Sequence, residues 1–99
     1  AGPREVAPGR YVAVLQAFNW DFVPREIRVP VGAEVTFRAR SSQEYHGFAL
    51  IDTPIIMSLA QNEVREATHT FDRPGEYPFV CSEYCGGGHV AMMGKVIVE

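Results

Sequence analysis

The sequence predicts an all-β domain, folded as a sandwich or a Greek-key barrel. Two observations carry that expectation. Short segments of alternating apolar residues, rich in β-branched and aromatic side chains, recur between turn residues along the chain. No stretch keeps the 3.6-residue period of an amphipathic helix. Seven or eight strands at this spacing suit two packed sheets or a closed barrel.

Taken in order, AGPREVAPG (1–9) reads as a loose tail, which leaves 10–99 as the folded domain. RYVAVLQAF (10–18) alternates and is dense in strand formers. REIRVPVG (25–32) alternates around Ile27, Val29 and Val31, and Pro30 and Gly32 mark it as an edge strand running into a turn. AEVTFRAR (33–40) sets Val35 and Phe37 on one face and Thr36 and Arg38 on the other. HGFALI (46–51), PIIMSLA (54–60), EVREATHTF (63–71), GEYPFVC (75–81) and GKVIVE (94–99) complete the set. Between two of them, DRPGEY is a turn in which Pro74 fixes φ and Gly75 is the permissive residue.

Ninety-nine residues, 46% hydrophobic and 21% charged, make one globular domain with one core. A net charge of −3 argues against a nucleic-acid partner, which calls for a basic stripe. The longest apolar runs, YVAVL and FALI, are strand-sized and far short of the ~20 residues that span a bilayer. With no signal-peptide pattern, the expectation is a mature soluble protein or a domain cut from a larger one.

The chemistry gathers in CSEYCGGGHVAMM (81–93), which holds both cysteines, one of three histidines and two of three methionines. Cys81, Cys85, His89 and Met92 are spaced four, four and three apart. Three consecutive glycines, 86–88, argue against a helix interior and let a loop curl around something small. Thiolate, imidazole and thioether select copper or zinc over calcium or magnesium. A further histidine must come from elsewhere, and His46, followed by Gly47 at a strand start, is the candidate. His69, between two threonines, reads as a structural histidine.

Several chemistries use part of this set. A disulfide uses only the cysteines. A structural zinc takes Cys81, Cys85, His46 and His89 and leaves Met92 idle. A mononuclear blue-copper site has one cysteine too many. Two copper ions bridged by both thiolates use every donor, and the two anions offset much of the metal charge in an apolar barrel end.

The loop resembles the binuclear CuA motif of cytochrome c oxidase subunit II, Cys-x-Glu-x-Cys-Gly-x-Gly-His-x-x-Met. YHGFAL, IRVPVGAEVTF, RPGEYPFVCSEYCG and MGKVIVE are similar to the same family, so the resemblance covers the chain from about Tyr11 onward. It implies a cupredoxin-like Greek-key barrel on the periplasmic face of the membrane, which takes electrons singly from cytochrome c and passes them to haem in the oxidase catalytic subunit. Carried over by position, Cys81 and Cys85 are bridging thiolates and His46 and His89 terminal ligands. Met92 is the axial thioether and the Glu83 backbone carbonyl the axial oxygen. Met93 is left as a packing residue, and Trp20 is either an electron entry point or an aromatic anchor. The Glu83 side chain reaches a magnesium beside the catalytic subunit in many members, and none is expected in an isolated domain.

The resemblance also implies an electron-transfer domain and not an enzyme in its own right. The membrane hairpin that precedes such a domain is not in the sequence, which suggests an excised soluble fragment. The short loops are similar to those of the B-type bacterial oxidases; nitrous oxide reductase carries a related domain on a much larger chain. The rivals are a copper carrier or assembly protein and a structural zinc module. Acid should release the metal as His46 and His89 protonate. Asp21, Glu44, Asp52 and Glu83 are expected to frame the metal end, where they could steer a basic cytochrome.

Overall fold

The computed structural model describes residues 2–83 and 92–99. Ten strands and no helix occur among them: β1 (Arg4–Ala7), β2 (Arg10–Phe18), β3 (Asp21–Val23), β4 (Glu26–Val29), β5 (Glu34–Ser41), β6 (His46–Leu50), β7 (Ile56–Leu59), β8 (Val64–Thr70), β9 (Gly75–Val80) and β10 (Met93–Val98). One sheet runs β1-β2-β5-β8 with β3 also paired to β2; the other runs β4-β10-β9-β6-β7. The β2–β5 and β4–β10 pairs are parallel and the others antiparallel.

Alternation places the core. Ala13, Leu15 and Ala17 of β2 and Val35, Phe37 and Ala39 of β5 point inward, against Phe48, Leu50, Phe79, Val96 and Val98 of the other sheet. Five phenylalanines form one connected cluster, with ring centroids 5.2–6.2 Å apart across the Phe48–Phe79, Phe22–Phe79, Phe37–Phe48, Phe22–Phe48 and Phe37–Phe71 pairs. Those separations are the ones at which aromatic edges and faces attract. Gly94 faces this cluster, and a Cβ there would run into the Phe79 ring and lie 2.5 Å from Arg25 O.

Two expectations need correction, and one strand has no counterpart among them. Residues 1–9 are not simply a tail, because Arg4–Ala7 pair with Arg10, Tyr11 and Val12 of β2 as an antiparallel edge. That strand has no inward apolar face, so alternation could not reveal it. Asp21–Val23 form a short strand on the last residues of β2 and deliver Phe22 to the core. Val31 does not continue the inward series of Ile27 and Val29, since β4 stops at Val29 and Val31 is exposed in the turn after Pro30. As the prolines and glycines suggest, β4 is a sheet edge; Gly32 has φ +88° and donates its N–H to Phe71 O at 2.7 Å.

Candidate metal centre

His46 opens β6 and Cys81 directly follows β9, on adjacent strands of one sheet. Phe48 and Leu50 on β6 and Phe79 on β9 fix the inward register, and His46 and Cys81 share that face at the strand ends. His46 is fully buried and Cys81 is 5% exposed. Met92 lies beside Cys81, immediately before β10, where its carbonyl accepts the Cys81 N–H at 3.2 Å, and it is buried as well.

The Cys81 sulfur lies 3.9 Å from His46 Nδ1 and 3.0 Å from the Glu83 carbonyl oxygen, to which its S–H can donate. A sulfur, a ring nitrogen and a carbonyl oxygen thus converge in a water-poor corner of the sandwich. Bonds of about 2.3 Å to sulfur and about 2.0 Å to imidazole nitrogen reach a shared ion across a gap of that size. The donor set therefore fits a soft or borderline metal. Cys85 and His89, the other ligands expected from the sequence, lie outside the described residues.

Local contacts hold this corner. Ser41, the last inward residue of β5, is fully buried, and its Oγ lies 2.8 Å from both Gln43 O and Glu44 O, sharing one proton between them. That hydroxyl braces the turn leading into His46, in which Glu44 takes φ 57°. Gln43 Oε1 in turn accepts the Asn19 N–H at 3.0 Å, tying the β2–β3 turn to the His46 turn. Trp20 sits in that β2–β3 turn, at the same end of the sandwich, 44% exposed. Gly47 lies under the segment after Cys81: a Cβ there would collide with Ser82 Oγ and come within 2.9 Å of Glu83 Cγ. Ser41 was legible in principle, as the next inward position after Val35, Phe37 and Ala39. No sequence signal marks Ser58, whose hydroxyl donates to the Glu83 carboxylate at 3.1 Å.

Other expected residues lie elsewhere. His69 pairs with Val35, far from the Ser41 end of β5, and its ring packs edge-on against Phe71 at 4.8 Å. Met93 is not packed into the core; alternation turns Met92 in and Met93 out, where it is 45% exposed. Asp52 does not frame the metal end, because it follows the far end of β6, a strand length of about 16 Å from His46. Asp21 does lie at the metal end, paired with Arg25 at 3.1 Å, and Glu44 is exposed there. Glu83 is half-buried against Ser58.

No family model matches the sequence. Two sequences of cytochrome c oxidase subunit 2 from Thermus thermophilus are 38% identical to it over 95 residues, 96% of this chain; it spans 70% of one and 56% of the other. Among solved structures, a chain of a haem-copper terminal oxidase dimer superposes with a TM-score of 0.84 and 32% identity, covering 98% of this chain and 78% of that one. The periplasmic domain of subunit II of cytochrome oxidase from Bradyrhizobium japonicum superposes at a TM-score of 0.81 with 18% identity, over 89% of this chain and 83% of that domain. The two-sheet fold is cupredoxin-like.

Proposed function

Because the chain belongs to the cytochrome c oxidase subunit II family, we propose that it is an electron-transfer domain built to hold a binuclear copper centre of the CuA kind. Cys81, Cys85, His46 and His89 would hold the two ions, with Met92 and the Glu83 carbonyl as weaker donors. When bound, the copper pair supplies a one-electron couple whose charge is spread over both metals and both sulfurs. The observation that carries this reading is the approach of Cys81 Sγ to His46 Nδ1 and Glu83 O in one buried corner.

The chain's residues support such a role in three ways. His46 and Cys81 stand at the ends of strands locked by the aromatic core, so the donors have little freedom to move when charge changes. Burial of His46, Cys81 and Met92 keeps water from the site. Trp20, exposed at the same end of the sandwich, is the entry point for an electron from outside. Cytochrome c is the donor and haem in the oxidase catalytic subunit the acceptor, at the periplasmic face of the membrane. By itself the domain moves electrons and catalyses no reaction.

Metal titration of the metal-free protein tests the reading. Copper should bind at two ions per chain and give a strongly coloured oxidised form. Uptake of a single zinc in preference, without colour, would contradict it.

A further inference from the structure

We propose that Ser58 is a positioning residue for the metal centre, acting through the Glu83 side chain to fix the Glu83 carbonyl. The inference rests on the copper reading above and deepens it. Met57 and Leu59 of β7 point into the core, which leaves Ser58 half-buried on the outer face, opposite Gly47 of β6. The segment after Cys81 crosses that outer face over Gly47, where only the missing Cβ leaves room for Ser82 Oγ and Glu83 Cγ. From there the Glu83 carboxylate reaches β7 and accepts the Ser58 hydroxyl at 3.1 Å.

The carbonyl oxygen of the same residue lies 3.0 Å from Cys81 Sγ. Glu83 is therefore held at two points: its side chain on β7 and its backbone beside the sulfur. With the side chain anchored, the Glu83 backbone has less freedom to carry its oxygen away from the site. The bond is charge-assisted, although at 3.1 Å it is longer than the strongest of its kind, and half-burial limits competition from water. The Arg65 guanidinium lies alongside, with Nη1 3.5 Å from Ser58 O and 3.7 Å from the Glu63 carboxylate, its ion-pair partner. Ser58 itself is no ligand; it acts on the metal only by aiming Glu83.

The test compares Ser58→Ala and Ser58→Thr with the parent protein, all loaded with copper. Ser58→Ala should surrender copper to a chelator roughly three- to tenfold faster and shift the visible bands, as loss of one charge-assisted bond implies. Ser58→Thr, which keeps the hydroxyl, should return the rate to within about twofold of the parent. An unchanged rate and spectrum in Ser58→Ala would overturn the proposal, as would a Ser58→Thr no better than Ser58→Ala. If the parent takes up no copper, the metal reading fails and the latch is read in the metal-free protein. There Ser58→Ala should speed amide hydrogen exchange at Glu83 severalfold, and unchanged exchange would overturn the latch on its own terms.

Discussion

Phe48 and Phe79 stack at 5.2 Å between ring centroids, each two residues along its strand from a proposed metal donor, His46 and Cys81 respectively. Strand alternation puts each ring on the same face as its donor, so the packed pair fixes which face of the sheet the donors share. Phe22 and Phe37 extend the cluster at 5.3 Å from Phe79 and 5.6 Å from Phe48. The approach of Cys81 Sγ to His46 Nδ1 is thus tied to the packing of the core. Phe48→Ala should cost about 3–5 kcal/mol in chemical denaturation of the metal-free protein, the range for an aromatic ring removed from a packed interior. Loss of less than about 1 kcal/mol would show that the core does not depend on this pair.

Gly47 separates holding the fold from holding the site. A methyl group at Gly47 meets Ser82 Oγ and the Glu83 side chain, not the interior. Gly47→Ala should therefore cost about 1–3 kcal/mol of stability, the range for overpacking, while pushing Glu83 off the sulfur. Copper affinity should fall at least about tenfold, read by competition with a chelator. Unchanged affinity would mean that the 82–83 segment takes no part in binding.

Met92 is expected to tune the metal and not to hold it. It is buried, and leucine is close to it in volume, so Met92→Leu should cost less than about 1.5 kcal/mol. The variant should keep its full complement of copper and shift its reduction potential, because a long axial thioether tunes the couple. Complete loss of copper would contradict the axial assignment.

Trp20 tests electron entry. At 44% exposure its replacement by phenylalanine should change stability by no more than about 0.5 kcal/mol. If the electron enters there, reduction of the oxidised domain by cytochrome c should slow by about tenfold or more, which is a rise of about 1.4 kcal/mol in the barrier. A rate equal to the parent's would remove Trp20 from the path.

Much of the architecture is legible in the sequence because it depends on alternation. RYVAVLQAF and AEVTFRAR announce β2 and β5, with Val35 and Phe37 inward, since each strand buries one face. Arg4–Ala7 escapes detection because an exposed edge needs no apolar pattern, and Asp21–Val23 because three residues are too few for one. At the site, His46 and Cys81 could be picked out by residue type and are brought together by the fold. What could not be read is the support beneath them. Ser58 meets Glu83 at a sequence separation of 25, and no local rule connects a serine on one strand with a glutamate in a distant loop. Asp52 shows the converse error: closeness in sequence to His46 becomes distance in space when a strand lies between.

Electron paramagnetic resonance of the oxidised, copper-loaded domain probes the central claim most directly. Two ions joined by Cys81 and Cys85 should give hyperfine structure from one unpaired electron divided equally between two copper nuclei. Splitting by a single copper nucleus, or a silent spectrum from a chain whose cysteines have joined to each other, would contradict the account.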